Sequence, residues 1–80
     1  MQVDYDAPIP PYQQVAAHLR AQIESGELAP DSRLPSIETI MQEYGIARAT
    51  ARKVRAVLLD EGLVRNVTGW GTYVNPPPGE

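Results

Sequence analysis

Apolar residues in the first half of the chain recur at intervals of three and four, the spacing of one helix face. The first stripe begins after Pro11, whose missing N–H needs no partner in a first helical turn. It ends at Ser25-Gly26, where glycine can adopt the left-handed conformation that closes a helix. The pattern predicts a first helix over residues 11–25, with an apolar face of Tyr12, Val15, Ala16, Leu19 and Ile23.

Two further stripes of helical spacing follow, separated by a short turn. Pro35 keeps the preceding residue extended, and Ser36 is a favourable N-cap for a helix that ends at Gly45. A third helix is predicted from about residue 48 to 61, where Gly62 ends it. A short helix, a turn that begins with glycine and a longer helix are typical of a helix-turn-helix. The apolar faces are Ile37, Ile40, Met41 and Tyr44, then Ala51, Val54, Val57 and Leu58.

From Leu63 onward the period changes from helical spacing to β-rich runs. Residues 64–67 and 72–74 flank the loop Thr68-Gly-Trp-Gly71, which is a hairpin signal. The fold class predicted is mainly α with a small β-hairpin, a winged helix-turn-helix of three helices plus a wing. The domains predicted are a flexible N-terminal arm over 1–10, the winged helix over 11–75, and a Pro-rich tail or linker over 76–80.

Composition narrows the possible chemistry. Eighty residues suffice for one domain. The chain has no cysteine and one histidine, so it offers no thiolate metal site and no catalytic triad, and we expect neither an enzyme nor a cofactor. His18 lies off the apolar stripe and is expected on the surface. No apolar run approaches membrane length and the N-terminus is no signal peptide, so no membrane partner is expected.

One basic segment stands out in an acidic chain. Residues 46–56 have four positive charges and no acid, and the whole chain is −3, so the remainder is −7 (−3 minus +4). On a helix, Arg48, Arg52 and Arg55 fall within about 40° of a common line, whereas Lys53 lies about 100° from its nearest arginine. This stripe either faces an anionic partner or is a solvated basic face balanced by Asp60 and Glu61.

The order and spacing of several motifs resemble the N-terminal DNA-binding domain of GntR-family bacterial transcription regulators. These motifs are Pro11-Tyr12, Ile23 to Pro30, Arg33-Leu-Pro-Ser36, Tyr44-Gly-Ile46, Arg48 with Thr50 and Arg52, Leu58 to Val64, and Gly69 to Val74. The resemblance implies a sequence-specific regulator of double-stranded DNA, a repressor that binds a palindromic operator as a homodimer in the bacterial cytoplasm, on the nucleoid. Any small-molecule effector would act through a further domain that this chain lacks, and the Pro-rich tail fits a linker to it.

The same resemblance assigns roles to candidate DNA-binding residues. A helix-turn-helix places the N-terminal residues of its second helix at base edges in the major groove, and arginine there can hold guanine bidentately. Ser36 is either a phosphate contact at a helix N-terminus or a plain cap. The third helix contributes Arg48, Ala49, Thr50, Arg52 and Arg55, and the wing contributes Thr68, Gly69, Trp70 and Gly71 on the DNA backbone or in the minor groove.

Among the positions that depart from the family pattern, Glu38 and Trp70 bear most directly on DNA contact. Family members often have arginine where Glu38 stands, and a basic residue at the wing tip where Trp70 stands. Glu38 would repel phosphate if it faced DNA, which predicts weaker binding or a rotated docking angle. Trp70 either meets DNA, folds back on the hairpin or meets another protein. The alternative function is therefore a winged helix that docks on a protein through Trp70.

Overall fold

The computed structural model describes residues 1–77 and contains three helices followed by one antiparallel hairpin. The helices are α1 (Pro11–Ser25), α2 (Ile37–Tyr44) and α3 (Arg48–Asp60), and the strands are β1 (Val64–Val67) and β2 (Gly71–Val74). This order confirms the predicted fold class of three helices plus a wing. Part of the predicted Pro-rich tail, residues 78–80, lies outside the described residues.

The helix ends follow the chemistry that the sequence indicated. Pro11 is the first residue of α1, and the chain leaves that helix through Gly26 at φ +86°. Gly45 ends α2 in the same left-handed conformation, at φ +64°, and thereby sets the turn into α3. Glycine adopts this conformation at no steric cost, so these two positions terminate the helices sharply.

The hairpin is joined to the segment that precedes α2. β1 pairs with β2 in a register that places Val64 opposite Val74 and Val67 opposite Gly71. On its other edge, β2 exchanges backbone hydrogen bonds with residues 32–34: the Leu34 N–H donates to Thr72 O and the Val74 N–H to Ser32 O, both at 2.8 Å. β2 is therefore held on both sides, which fixes the wing relative to the N-terminus of α2.

The core lies where the three helices and the base of the hairpin meet. Its buried apolar residues are Val15, Ala16, Leu19, Leu34, Ile37, Ile40, Tyr44, Ile46, Ala51, Val54, Leu58, Val64 and Val74. Four residues of the predicted apolar faces are only partly buried at its margin, namely Tyr12, Ile23, Met41 and Val57. Burial at helical spacing on α1, α2 and α3 leaves the opposite face of α3 in solvent, where the arginines lie.

Residues 1–10, predicted as a flexible arm, lie against the helices. The Gln14 side chain accepts from the Asp4 N–H at 2.9 Å and donates to the carbonyls of Asp4 and Ile9, each at 2.8 Å. The Tyr5 hydroxyl donates to the Gly45 carbonyl at 3.1 Å, and Val3 packs at the margin of the core. These contacts fix the arm beside the turn between α2 and α3.

His18 corrects a sequence-based expectation. It was expected on the surface, but the ring is half-buried, and its Nδ1 forms a 2.7 Å hydrogen bond with the Tyr44 hydroxyl. The two rings meet edge to face, 5.6 Å between centroids. Burial raises the pKa of Tyr44 above its ordinary value. The pair joins α1 to α2.

None of the helices formed by residues 1–77 has both the length and the apolar character needed to span a bilayer.

Candidate nucleic-acid interface

A basic groove lies between the N-terminus of α2, the exposed face of α3 and strand β2. Four of its lining residues are arginines and one is a glutamate, which gives a local charge of +3 (+4 minus 1) in a chain of net charge −3. We call this surface the arginine groove; its lining residues are Arg33, Leu34, Pro35, Ser36, Ile37, Glu38, Arg48, Arg52, Arg55, Gly71 and Thr72. The groove thus brings the predicted residues Ser36, Arg48, Arg52, Arg55 and Gly71 together.

Glu38 faces this groove and binds one of its arginines. Its Oε1 accepts a hydrogen bond from Arg48 Nη1 at 2.8 Å, and the two side chains remain 62% and 47% exposed. The hydrogen bond from Arg48 is the largest influence that lowers the pKa of the Glu38 carboxyl, and the charges of Arg48 and Arg52 act in the same direction. An exposed pair of this kind is weak and screened by salt, so Arg48 can exchange it for a stronger partner.

The other three arginines of the groove differ from Arg48 in their pairing. Arg33, Arg52 and Arg55 form no ion pair with any carboxylate of residues 1–77. Glu61, a candidate counter-charge for the basic face, is instead bound by Arg20 of α1 through two hydrogen bonds of 2.8 and 2.7 Å. Three uncompensated guanidinium groups on one surface are therefore available to an anionic ligand.

The remaining cations are directed elsewhere. Lys53 places its Nζ 4.9 Å from the centroid of the Tyr12 ring, a cation–π geometry that holds it against α1. This position agrees with its lower rank on the helical projection. Arg65 of β1 pairs with Asp31 at 2.9 Å.

Ala49 and Thr50 lie with Lys53 and Tyr12 in a separate cleft beside the N-terminus of α1, so the predicted DNA-binding residues of α3 divide between two surfaces.

Ser36 acts as the cap that its position suggested. Its hydroxyl oxygen accepts from the Thr39 N–H at 3.1 Å and its proton is donated to Thr39 Oγ1 at 2.9 Å. Because both functions of the hydroxyl are used inside α2, any contact to an external anion from this end would have to share them. At the start of α3, Ala47 supplies no side-chain cap, so the first N–H groups of that helix lack a side-chain acceptor there.

The wing presents its loop to the same side as the groove. The Trp70 N–H closes a turn onto Val67 O at 2.9 Å, with Gly69 at φ +81°. Trp70 is 68% exposed, so its indole does not fold back on the hairpin. A cleft below it is lined by Arg33 and Arg55, which makes the wing tip continuous with the arginine groove.

Gly71 allows an arginine to lie across the wing. Its φ is +132°, and a Cβ built there would stand only 2.7 Å from Nε and 3.0 Å from Nη2 of Arg33. Arg33 was absent from the residues predicted to contact DNA. The sequence indicates only that Arg33-Leu34 is extended before Pro35. The entry of Arg33 into the groove depends on the pairing of residues 32–34 with β2, 38 to 42 residues later.

Comparison with known proteins identifies the family to which this arrangement corresponds. The model for bacterial regulatory proteins, gntR family, matches residues 11–74, which contain all three helices and the hairpin. The chain belongs to the gntR family. The HTH-type transcriptional repressor NagR of Bacillus subtilis (strain 168) is 40% identical over 77 residues, which cover 96% of this chain and 32% of NagR. This gntR-family chain thus spans about a third of the length of that curated relative.

Solved structures of gntR-family proteins share the fold of this chain. AraR(DBD), determined in complex with operator ORX1, superposes with a TM-score of 0.82 at 32% identity, covering 92% of this chain and 94% of that one. YtrA from Sulfolobus acidocaldarius, a GntR-family transcription factor, gives a TM-score of 0.83 at 30% identity, covering all of this chain and 68% of YtrA. The arginine groove and the wing therefore belong to a fold shared with gntR-family regulators.

Proposed function

We propose that this gntR-family domain binds double-stranded DNA sequence-specifically and forms part of a transcription regulator. The regulator is proposed to act as a repressor. The arginine groove is the observation that supports the proposal most directly, since it concentrates a charge of +3 on one face of a chain of net charge −3. The solved complex of AraR(DBD) with an operator gives a precedent on the same fold.

In the proposed complex α3 enters the major groove with its N-terminal end at the base edges. Arg48 and Arg52 supply base contacts, because a guanidinium matches the O6 and N7 acceptors of guanine. Arg55 and Arg33 lie between α3 and the wing, where the DNA backbone would pass, and are assigned to phosphate. Ala49 and Thr50 face the second cleft beside α1 and supply a methyl contact to thymine and a hydrogen bond to a base or phosphate.

The wing is assigned to the DNA backbone or the minor groove. Thr68, Gly69 and Gly71 offer backbone groups and small side chains that permit close approach. The exposed indole of Trp70 stands above the cleft that contains Arg33 and Arg55, so it would meet sugar–phosphate while the arginines meet phosphate oxygens. Ser36 is assigned to a phosphate contact from the N-terminus of α2 in addition to its cap.

The regulator is proposed to act as a homodimer on a palindromic operator, with half-sites one helical turn of DNA, about 34–36 Å, or a multiple of it apart. Repression is supported by the description of NagR as a transcriptional repressor. Any small-molecule effector is assigned to a part of the regulator outside these 80 residues. A bacterial regulator of this kind acts in the cytoplasm, on the nucleoid.

Docking on a protein through Trp70 is the rival function, and the observations weigh against it. An anchor for a protein interface explains the exposed indole. It does not explain why the adjoining groove is lined by three arginines that pair with no carboxylate of the described residues 1–77. It also does not explain why the relatives of the same fold include one solved on an operator.

Selection from a pool of random duplexes tests the proposed function. We expect enrichment of an inverted repeat, and affinity for it that falls steeply between about 50 and 200 mM salt because bound phosphates release counter-ions. The spacing of the half-sites reports the dimer geometry in the same experiment. If no sequence is enriched and mixed duplexes are not bound at 50 mM salt, the chain is not a DNA-binding domain.

A further inference from the structure

The arginine groove contains one carboxylate among its lining residues, and that carboxylate is placed where base edges would lie. Glu38 is the second residue of α2 and reaches Arg48, the first residue of α3, at 2.8 Å. Arg48 is the residue assigned above to a base contact. The carboxylate and the guanidinium therefore approach the same part of a bound duplex together, and both are exposed enough to contact it.

A carboxylate in this position must affect the binding of DNA, either favourably or unfavourably. When ionised it only accepts hydrogen bonds, and the hydrogen bond from Arg48 favours the ionised form. The major groove shows mostly acceptors, namely N7, O6 and O4, and its donors are the amino groups of cytosine and adenine. Glu38 therefore opposes any register that places it against phosphate or a base acceptor, and favours one that places it against an amino group.

We propose that Glu38 is a specificity-determining residue that accepts a hydrogen bond from the N4 amino group of a cytosine, at or next to the base pair whose guanine Arg48 contacts. A G·C pair presents two acceptors on guanine and one donor on cytosine. The adjacent guanidinium and carboxylate form the complementary set, two kinds of group with opposite roles held 2.8 Å apart. This inference rests on the proposed function, because it concerns how the same surface distinguishes sequences.

A second consequence concerns DNA that lacks the site. On such DNA the carboxylate lies near phosphates and base acceptors and receives no hydrogen bond from the DNA. Its pair with Arg48 also keeps that guanidinium from binding the duplex. Glu38 should therefore weaken binding to arbitrary duplexes more than binding to the cognate site, which raises the ratio between the two. This ratio, and not the cognate affinity alone, determines occupancy among many competing sites.

The substitution Glu38→Gln tests the proposal, with Glu43→Gln as the matched control. Glu43 is an exposed acid on the same helix that does not line the arginine groove, so the control removes the same charge and leaves the groove unchanged. Site selection from random duplexes is carried out with wild type and both variants. Affinities are then measured for the selected site, for the site changed at the cytosine, and for a mixed-sequence duplex.

We expect Glu38→Gln to lose the preference for cytosine at one position of each half-site and to gain adenine there, since glutamine pairs bidentately with adenine. A good contact of this kind corresponds to about 5- to 150-fold discrimination, so a loss within that range is expected. The variant should also bind the mixed duplex more tightly than wild type. Glu43→Gln should select the wild-type site with the wild-type ratio.

Adding Arg48→Ala separates direct contact from positioning. Direct contact predicts that the cytosine preference survives in Arg48→Ala and disappears when Glu38→Gln is added. Loss of that preference in Arg48→Ala alone, or identical selection by Glu38→Gln and wild type, would overturn the proposal. If wild type itself selects no sequence, the proposed function fails and this inference fails with it. Thermal unfolding of each variant confirms that the folded domain is being compared.

Discussion

Replacing Arg33 by glutamine should remove one phosphate contact from the proposed complex. The guanidinium of Arg33 lies across Gly71, lines both the arginine groove and the cleft under the wing, and forms no ion pair with any carboxylate of residues 1–77. Its positive charge is therefore available to bind the sugar–phosphate backbone of the DNA strand that would run between α3 and the wing. The contact is to phosphate, so the loss should be similar for every sequence.

The magnitude follows from counter-ion release. Each neutralised phosphate contributes about 0.9 to the slope of log K against log salt. Between 50 and 200 mM salt, a fourfold change, a slope lower by 0.9 alters the ratio of wild-type to variant affinity by about 3.5-fold. The variant should thus bind less tightly at low salt and approach wild type as salt rises.

The assay is a salt titration of duplex binding, by fluorescence anisotropy, for wild type, Arg33→Gln and Arg20→Gln. Arg20 is the matched control, because it has the same charge but binds Glu61 on the other side of α3, outside the arginine groove. The control should keep the wild-type slope. Arg33 is exposed and pairs with no carboxylate within the described part of the chain, so its replacement should change the free energy of unfolding by no more than about 0.5 kcal/mol. A wild-type salt slope in a stably folded Arg33→Gln protein would exclude Arg33 from the interface.

Three further substitutions test separate parts of the structure. Trp70→Ala should leave the free energy of unfolding within about 0.5 kcal/mol of wild type because the indole is 68% exposed; duplex affinity should fall by about 1 kcal/mol, and unchanged affinity together with loss of a protein complex would favour the docking function. Gly71→Ala should destabilise the fold by about 1–3 kcal/mol, because alanine is strained at φ +132° and its Cβ displaces Arg33; an unchanged melting temperature would contradict this. Glu61→Gln should cost about 0.5–1 kcal/mol at pH 7 by removing the carboxylate charge and one of the two hydrogen bonds from Arg20. The hydrogen bond from Arg20 lowers the pKa of Glu61 in the folded state, so this stabilisation is present above the ordinary glutamate pKa, and the difference between wild type and variant in urea titrations should vanish as pH falls through the folded value.

The local elements could be predicted because the information for each lies within a few residues. α1 and α2 each combine an apolar stripe with a following glycine, and in the structure each helix ends at the residue before that glycine. The hairpin followed from two β-rich runs around a glycine-containing loop, and β2 begins one residue earlier than expected, at Gly71. Burial was predicted correctly where a residue occupies the centre of a stripe, as Val15 and Val54 do.

The parts that escaped prediction depend on contacts between distant residues. Arg33 reaches the groove only because its segment pairs with β2, and nothing in the local sequence specifies that partner. The Glu38–Arg48 pair requires the angle between two helices, which the turn at Gly45 sets. The N-terminal arm has the composition of a flexible segment, yet Gln14 and Gly45 bind its backbone and its tyrosine. Composition describes the average tendency of a segment, whereas these contacts are specific to the folded surface.

The acidic net charge of the chain is compatible with DNA binding once the charges are located. If the arginine groove has +3, the rest of the chain has −6 (−3 minus +3). The domain measures 39 × 27 × 20 Å, whereas the screening length is about 8 Å at physiological salt. Acids beyond that distance from the groove are therefore largely screened from a docked phosphate, and the local +3 determines attraction at contact. At low salt the distant acids repel DNA from every other face, which favours approach through the groove. Glu38 is the exception, since it lies inside the groove and is not screened by distance. A residue that opposes DNA at the contact surface itself is best explained if it favours one sequence over others.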